Sequence, residues 1–507
     1  MFSNNIFSIF VGTFLALQLV SCNPAVLSKG KGMSLLVRER YKSFITQPVL
    51  IRHCDPLTEE EYTVSADDLT SLESSPFDPT KPTKFICHGF IDKGTTRWLT
   101  EVAENLLKHG DYNVIRIDWG DGSKPMYDQA TANTRVVGLE IKHFVNTLID
   151  TYDFDPANAH CIGHSLGSHT CGYGGEQIPG FGRITGLDPA GPYFTGTPYF
   201  VHLDDTDAVF VDNYHTDADS ILLLGYGTGE PMGNVDIYPN SGHDQPGCDP
   251  VDIAIELITE DMINGGRDIF ACSHIRSIKY FNESLFDNTC KWVAHLCYDY
   301  DTFEAGSCYS CGEDNSLCTY LGLEGDQYTA KESVNAMFYL DTREKDLFCM
   351  QHYEVSILTA NPDDAEPWVM GNLHIIFTET TVQSFKIFRL QISDHERIDH
   401  GLIKRSLFTD LIDVDRVIRV ELQWKYNDEV LHPGTHCNGL VCNRSLYVQS
   451  VLVSPISHYP ESERISFEST ACSTDGSYTE IEDDSTASFL VSTACTAVST
   501  ENTVTKE

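Results

Sequence analysis

A serine stands between two glycines in the segment 161–167, which reads Cys-Ile-Gly-His-Ser-Leu-Gly. This is the G-x-S-x-G pattern of a nucleophile elbow, a strand-to-helix turn too tight for a Cβ atom at the flanking positions. Such a turn exposes the Ser165 hydroxyl above a sheet and directs the N–H of Leu166 towards a developing oxyanion. The segment predicts an acyl-transfer enzyme; a chance match in a loop of this chain with 36 glycines is the alternative.

A serine nucleophile needs a base, and the base needs a group that orients it. In α/β-hydrolases these residues follow in the order serine, acid, histidine. Asp188 comes directly after an apolar run at 183–187, so it is the candidate acid, and His274 lies two residues after Cys272, so it is the candidate base. Seen alone, the aspartate could cap a helix and the histidine could be an ordinary core or surface residue. Together with the serine they favour a catalytic triad.

The elements that would position these side chains alternate from residue 84 to about residue 278. Short apolar runs at 84–87 and 113–119 read as strands. A later set of apolar positions falls on one helical face: Val137, Ile141, Phe144, Val145 and Leu148. This rhythm predicts a mainly parallel sheet flanked by helices.

The second half of the chain has a different pattern. After about residue 345, apolar and polar residues alternate strictly, as at Leu373, Ile375 and Phe377. With no convincing long helix, this alternation predicts a β-sandwich. Beyond Cys472 the chain is rich in Ser, Thr, Asp and Glu, so residues 473–507 are expected to be disordered or O-glycosylated.

Length and charge narrow the function classes. A chain of 507 residues exceeds one ordinary core, so two domains are expected. The formal charge of −40 argues against nucleic acid and heparin as partners and implies repulsion from anionic lipid surfaces. A bridging partner or a cation is therefore worth considering.

The start of the chain and its cysteine content indicate secretion. Residues 1–22 contain an apolar run too short to span a bilayer comfortably and end in small residues, which predicts a cleaved signal peptide; a membrane anchor is the alternative. The 17 cysteines fit an oxidising compartment. Asn282 and Asn443 begin glycosylation sequons that would be used if they are exposed.

Taken in order, the motifs resemble those of the pancreatic lipase family over roughly residues 35–460. The matching segments are 88–94, 118–119, 163–167, 182–190, 215–217 and 272–277. The resemblance implies an α/β-hydrolase domain, a PLAT-type β-sandwich domain, and a triad of Ser165, Asp188 and His274. It also implies that the N–H groups of Phe90 and Leu166 bind the oxyanion.

Other aromatic side chains near the triad acquire roles from the same resemblance. Tyr127 is similar to the family's acyl-pocket aromatic residue. His88, His164 and His215 are expected to be hydrogen-bonding scaffold near the site.

Carboxylates in the loop 196–207 lie close enough to share a hard cation with backbone carbonyls, and calcium is the expected ion. The resemblance implies two main-chain ligands, Tyr199 and His202, and two carboxylate ligands, Asp204 and Asp207. The first two positions depart from the family's more usual charged residues, which main-chain ligation tolerates. An acidic surface turn is the alternative.

A short amphipathic helix is expected between Cys248 and Cys272. Its apolar face is formed by Val251, Ala254, Ile255, Ile258 and Met262. If a disulfide closes this segment, it resembles a lid over the active site (residues 248–272), and its full length favours triacylglycerol as substrate. An ordinary packed helix is the alternative.

The remaining cysteines are interpreted by position. The close pairs Cys297/Cys308 and Cys311/Cys318 resemble family disulfides. Cys87 and Cys161 end apolar strands and are expected to be buried small hydrophobes. Eight others are left unassigned: Cys54, Cys171, Cys290, Cys349, and the pairs Cys437/Cys442 and Cys472/Cys495.

The sequence thus predicts a secreted triacylglycerol lipase with a hydrolase domain at 23–345 and a PLAT-like domain at 346–472. A phospholipase or galactolipase with the same triad is the nearest rival, and a catalytically silent lipid-binding protein of the same fold is the rival from another class. Use of a colipase-like partner, the acyl-chain length and the choice among these lipids stay open.

Overall fold

The computed structural model describes residues 50–54, 61–124, 126–219, 225–248, 271–286, 290–380, 385–410, 417–427, 443–457, 464, 466–473 and 477–495. The strand residues 50–54, 379–380 and 385–396 are described by their backbone alone. The predicted signal peptide, the predicted lid helix and Cys437 and Cys442 lie outside these ranges. No helix within them combines the length and the apolar character that crossing a bilayer requires.

A large, mainly parallel sheet forms the first part of the chain. Its strands are β1 (Leu50–Cys54), β2 (Glu61–Val64), β3 (Thr83–Cys87), β4 (Asn113–Asp118), β5 (Ala159–His164), β6 (Arg183–Leu187), β7 (Phe210–Tyr214), β8 (Val235–Pro239), β9 (Val293–Leu296), β10 (Cys318–Tyr320) and β11 (Ala336–Leu340). The described strands follow the order β10-β9-β11-β8-β7-β6-β5-β3-β4-β1-β2. Pairing is parallel from β4 through β11, and antiparallel strands complete both edges.

Helices cover both faces of this sheet. They are α1 (Leu69–Glu73), α2 (Arg97–His109), α3 (Gly120–Ser123), α4 (Tyr127–Tyr152), α5 (Leu166–Gly175), α6 (Cys272–Ser284) and α7 (Tyr300–Glu304). Successive strand residues point to opposite faces, so Phe85 packs in one core with α4 and α5, while Ile86 packs in the other with α2 and α6. All five apolar positions predicted for one face of α4 are buried in the first core.

The second part of the chain is an antiparallel sheet that packs as a β-sandwich. Its strands are β12 (Gln351–Thr359), β13 (Trp368–Thr380), β14 (Phe385–Asp399), β15 (Ile403–Asp410), β16 (Val417–Tyr426), β17 (Leu446–Pro455), β18 (Ser469–Cys472), β19 (Thr479–Ile481) and β20 (Ser485–Val491). Leu373, Ile375 and Phe377 point into its core, as their alternation predicted. The last strand of the first sheet ends at Leu340 and the first strand of the second sheet begins at Gln351, so the segment between them includes the predicted boundary at 345.

The expectation that residues 473–507 form a disordered tail was wrong for the part that the structure describes. Strand β20 lies between β16 and β18 in the sheet and buries Phe489 completely. Ala487, Phe489 and Val491 face the core and alternate with the exposed residues Thr486, Ser488 and Leu490, so the strand is buried on one face. Its Ser- and Thr-rich composition concealed this alternation.

Six disulfides join described cysteines: Cys161–Cys171, Cys248–Cys272, Cys290–Cys349, Cys297–Cys308, Cys311–Cys318 and Cys472–Cys495. The interpretation of Cys161 as an unbridged hydrophobe was wrong, because α5 returns Cys171 to the middle of β5. Cys87 is a buried free thiol, as expected. Burial raises the pKa of its thiol to about 12.

The two sequons hold partly buried asparagines. Asn105 donates a hydrogen bond to the Oδ1 atom of Asn282 at 2.9 Å, and Asn443 donates one to the Tyr447 hydroxyl at 2.7 Å. Both side-chain amides are therefore engaged within the fold.

The disulfide Cys161–Cys171 yields a stability prediction. We expect Cys161→Ser combined with Cys171→Ser to lower the free energy of unfolding by about 2–4 kcal/mol, because the bridge restricts the unfolded chain. Denaturant titration measures this loss, with Cys87→Ala as the control that removes a thiol without breaking a bridge. Peptide mapping without reductant should show Cys161 linked to Cys171; a bridge from either of them to Cys87 would contradict the assignment.

Candidate active site

Ser165 occupies the turn between β5 and α5 with φ 57° and ψ −121°. This conformation is unfavourable for a residue with a side chain and is held by close backbone packing. A Cβ atom on Gly163 would collide with the carbonyl of Gly167, and one on Gly167 would collide with the carbonyl of Cys87. Both glycines of the motif are therefore required for the elbow to form.

Asp188 follows β6 and is completely buried. Its Oδ2 atom lies 2.5 Å from Nδ1 of His274. Its Oδ1 atom accepts hydrogen bonds from the N–H groups of Thr216 at 2.8 Å and Asp217 at 3.2 Å. The carboxylate is thus held from two sides and orients the imidazole ring.

His274 lies in the first turn of α6. The disulfide Cys248–Cys272 fixes the start of this helix, and the N–H of Gln245 donates to the Ser273 hydroxyl at 3.1 Å. The His274 ring is therefore positioned by a helix end that a disulfide and a hydrogen bond hold in place.

Burial governs the electrostatics of the pair. It raises the pKa of the Asp188 carboxyl, while the N–H of Thr216, the nearby His215 and the N–H of Asp217 lower it. Burial also lowers the pKa of the His274 imidazole, so this ring is neutral near pH 7. With Nδ1–H donated to Asp188, the lone pair is assigned to Nε2, the atom from which a base accepts a proton.

Backbone contacts place the serine beside this pair. The N–H of Ser165 donates to the carbonyl of Leu187 at 3.0 Å, and the N–H of Ala190 donates to the carbonyl of Ser165 at 3.3 Å. The rings of His164 and His274 lie 4.5 Å apart. Although both groups lie in the described part of the chain, no hydrogen bond joins the Ser165 hydroxyl to the His274 ring; such bonds are often long until substrate binds.

The backbone N–H groups predicted to bind the oxyanion belong to residues that adjoin Ser165 or Gly89. Gly89 packs so tightly against Ser165 that a Cβ atom there would lie 2.8 Å from the Ser165 Cβ, which brings Phe90 close to Ser165. Within the described residues, the N–H groups of Phe90 and Leu166 have no protein acceptor. The next N–H, that of Ile91, donates to the carbonyl of Ser123 at 3.1 Å and anchors the loop.

Aromatic side chains form a wall beside the elbow. Tyr127, the first residue of α4, packs edge-on against Phe90 at 5.0 Å and stacks on Tyr193 at 5.9 Å. Its hydroxyl donates to the carbonyl of Pro192 at 3.3 Å. This wall could hold an apolar chain bound at Ser165.

The three histidines expected to be scaffold are all buried and bonded. The His88 ring stacks on the Trp119 ring at 5.2 Å, and its Nε2 atom accepts a hydrogen bond from the backbone N–H of Trp119 at 3.1 Å. His215 contacts the Asp236 carboxylate at 2.9 Å, and His164 contacts the carbonyl of His274 at 3.3 Å. Among these four histidines, His274 is the one whose ring contacts Asp188.

The proposed calcium loop places two carboxylates in the interior. Asp204 and Asp207 are both buried, and burial followed by the neighbouring Asp204 raises the pKa of Asp207 well above its ordinary value. The Nδ1 atom of His202 bonds to the carbonyl of Leu203 at 2.7 Å, and the Tyr199 side chain is exposed, so neither side chain is directed to a ligand role. The donors suit a hard cation, which would offset the buried negative charge.

The clusters of three metal-ligand groups in the described residues are elsewhere. One joins Asp188, Asp217 and His274, and the other joins His295, Cys311 and Cys318. The first consists of the Asp188–His274 pair and the Asp217 carboxyl group. In the second, Cys311 and Cys318 are joined by a disulfide, so they offer no thiolate ligand. Neither cluster includes Asp204 or Asp207, so a cation in the predicted calcium loop would need main-chain oxygens as further ligands.

Sequence reasoning gave no role to two residues that contact the acid–base pair. Asp217 was noticed only as part of a motif, although its carboxyl group lies within 4.8 Å of the ligand atoms of Asp188 and His274. A Cβ atom on Gly227 would lie 2.5 Å from either oxygen of the Asp188 carboxylate. The segment around Gly227 carries no motif, so only the folded chain reveals this contact.

Comparisons with known proteins show which family the chain resembles. The family model "Lipase" matches residues 33–348. Pancreatic triacylglycerol lipase of Ictidomys tridecemlineatus is 40% identical over 380 residues, covering 74% of this chain and 78% of the relative. The protein of the same name from Homo sapiens is 42% identical over 296 residues, which cover 58% of this chain and 63% of the relative. Inactive pancreatic lipase-related protein 1 of Canis lupus familiaris is 35% identical over 373 residues, which cover 73% of this chain and 77% of the relative.

An α/β-hydrolase sheet with a serine elbow, a following β-sandwich and these relatives lead to one assignment. The chain belongs to the pancreatic lipase family.

Proposed function

We propose that this protein is a triacylglycerol lipase that cleaves carboxylic ester bonds at a lipid–water interface through Ser165, His274 and Asp188. One observation carries the proposal. The buried Asp188 carboxylate orients the His274 ring next to a serine held at φ 57°.

In the proposed mechanism, Nε2 of His274 takes the hydroxyl proton as the Ser165 oxygen attacks the ester carbonyl. The negative charge that develops on the carbonyl oxygen is bound by the N–H groups of Phe90 and Leu166, which have no protein acceptor among the described residues. His274 then protonates the leaving alcohol, which departs and leaves an acyl-enzyme. The base next activates water, which releases the fatty acid.

The surface around this site supports a lipid substrate. Ile91, Met126 and Tyr193 are exposed by 47%, 78% and 36%, and each adjoins the loop or the aromatic wall beside Ser165. Exposed apolar side chains at the rim of a site favour contact with an apolar surface. Two of the relatives are named for triacylglycerol, which directs the choice of substrate.

Two rivals are separated by one assay. A phospholipase or galactolipase would use the same triad, and one relative is named inactive, so a silent lipid-binding protein is the other rival. Purified protein should release fatty acid from emulsified triacylglycerol faster than from phosphatidylcholine or galactolipid. Release from a polar lipid alone would support the first rival, and no release from any of these lipids would support the second.

We also propose that the enzyme is secreted, with residues 1–22 as its signal peptide, a lipase domain at 23–345 and a β-sandwich domain after it. The six disulfides among the described residues support an oxidising compartment. A colipase-like protein would offset the repulsion between a chain of charge −40 and an anionic lipid surface. Stimulation of activity on bile-salt-coated emulsions by an added colipase would test that partnership.

Loss of the nucleophile gives the most direct prediction. Ser165→Ala should lower kcat by more than about 10⁴-fold with little change in melting temperature, because the smaller side chain fits the same turn. Ser168→Ala is the matched control, since its hydroxyl bonds to the carbonyl of Gly163 one turn further along α5. A serine-directed phosphonate should label Ser165, and substantial activity in the alanine variant would remove the triad.

The calcium proposal predicts a gain in stability. Calcium at 100 times its dissociation constant should raise the free energy of unfolding by about 2.7 kcal/mol, because only the folded chain forms the site. Asp204→Asn with Asp207→Asn should abolish this gain, whereas Asp205→Asn in the same loop should preserve it. If EGTA leaves the melting temperature of the wild-type protein unchanged, the loop is an acidic turn without an ion.

The lid proposal concerns residues 249–270, which the structure does not describe. If Ile255 and Ile258 contact lipid when the lid opens, replacing both with Glu should lower triacylglycerol turnover and spare short soluble esters. Thr259→Glu is the matched control, because this residue lies away from the predicted apolar face of the helix. An equal loss on both substrates would show that this segment is only structural.

A further inference from the structure

Asp217 is a buried carboxyl group that the proposed mechanism does not use. Its residue is 8% exposed, and its carboxyl group lies within 4.8 Å of the Asp188 oxygen and the His274 nitrogen. Buried carboxyl groups are costly unless they are paired, bonded or protonated. The position of this group next to the acid–base pair therefore calls for a role.

The carboxyl group of Asp217 holds a short segment of the chain, residues 226–228, which we call the strap. Its Oδ2 atom accepts a hydrogen bond from the N–H of Tyr226 at 3.0 Å. The carbonyl of Asp217 accepts a second one from the N–H of Gly227 at 3.0 Å. One residue thus binds two successive N–H groups of the strap.

The opposite edge of the strap is bonded to the segment that follows the catalytic acid. The N–H of Gly191 donates to the carbonyl of Tyr226 at 2.9 Å, and the N–H of Thr228 donates to the carbonyl of Pro189 at 3.0 Å. His215 contacts the carbonyl of Thr228 at 2.6 Å. The strap is therefore fixed on both sides.

This arrangement lays backbone directly over the Asp188 carboxylate. A Cβ atom on Gly227 would lie 2.5 Å from both carboxylate oxygens, so only glycine lets the strap approach this closely. The Tyr226 ring lies 5.8 Å from the His274 ring. The strap thus covers the acid and flanks the base.

We propose that Asp217 is a positioning residue for the triad: it holds the strap across Asp188 and excludes water from the Asp188–His274 hydrogen bond. The same residue donates its own N–H to the Asp188 carboxylate, so it acts on the acid directly and through the strap. The inference rests on the triad of the proposed function.

The charge state of Asp217 supports this role. Burial, followed by the neighbouring Asp188, raises the pKa of Asp217 to about 8. The negative charges of Asp219 and Asp244 also raise this pKa, whereas the hydrogen bond from the N–H of Tyr226 lowers it. Asp219 in turn contacts the His243 ring at 3.1 Å. The upward shift of the Asp217 pKa disfavours a second negative charge beside Asp188.

The experiment compares Asp217→Asn with Asp217→Ala on a soluble short-chain ester. The amide oxygen of Asn can still accept a hydrogen bond from the N–H of Tyr226, so Asp217→Asn should retain most of the wild-type kcat at pH 7. Asp217→Ala should lower kcat 10- to 100-fold with KM within twofold, because the strap loses its anchor while the ester-binding wall is untouched. Asp219→Asn is the matched control for loss of a charge in the same cluster and should leave kcat unchanged.

The pH profile distinguishes positioning from a purely structural role. In the wild-type protein, kcat should decline between about pH 8 and pH 9 as Asp217 ionises beside Asp188, and this decline should be absent in Asp217→Asn. The comparison of the pH profiles of the wild-type protein and Asp217→Asn still tests the role of Asp217 if Asp217→Ala does not fold. Wild-type kcat in a folded Asp217→Ala, or an unchanged alkaline decline in Asp217→Asn, would overturn the inference.

Failure of the inference and failure of the proposed function give different results. Activity that survives in Ser165→Ala removes the triad, whatever the Asp217 variants do. An inactive Ser165→Ala together with a fully active Asp217→Ala leaves the triad in place and removes only the role of Asp217.

Discussion

The organisation of the site depends on one buried carboxylate. Asp188 is inaccessible to water, so each of its oxygens must find donors within the protein. The N–H groups of Thr216 and Asp217 satisfy one oxygen and the ring of His274 satisfies the other. This requirement brings together the end of β6, the loop after β7 and the first turn of α6, which are distant in sequence.

Close backbone approach is the second constraint. The elbow forms because glycines let β5, α5 and the loop after β3 touch without side chains between them. Ser165 at φ 57° and Asp188 at φ 46° both adopt left-handed conformations that neighbouring segments must hold in place. The hydrogen bonds that surround these two residues stabilise conformations that an isolated loop would not keep.

A strongly acidic chain must also manage the carboxylates that it buries. The folded chain does so in different ways at neighbouring places. Asp188 is satisfied by N–H donors and His274. Burial and the neighbouring Asp188 raise the pKa of Asp217, which favours its neutral form. Asp207 lies in a loop whose donors suit a cation. Each solution lowers the cost of a buried negative charge.

The sequence by itself determined the features that short segments encode. The elbow at 163–167, the apolar runs of the strands and the single apolar face of α4 each lie within one local pattern, so the hydrolase fold and its three candidate residues could be predicted. The tertiary structure decided what depends on distant partners. The bridge from Cys161 to Cys171, the place of β20 between β16 and β18, and the contact of Gly227 with Asp188 arise from chain crossings that leave no periodic signal. Polar strands and lone glycines acquire meaning only when the fold brings their neighbours to them.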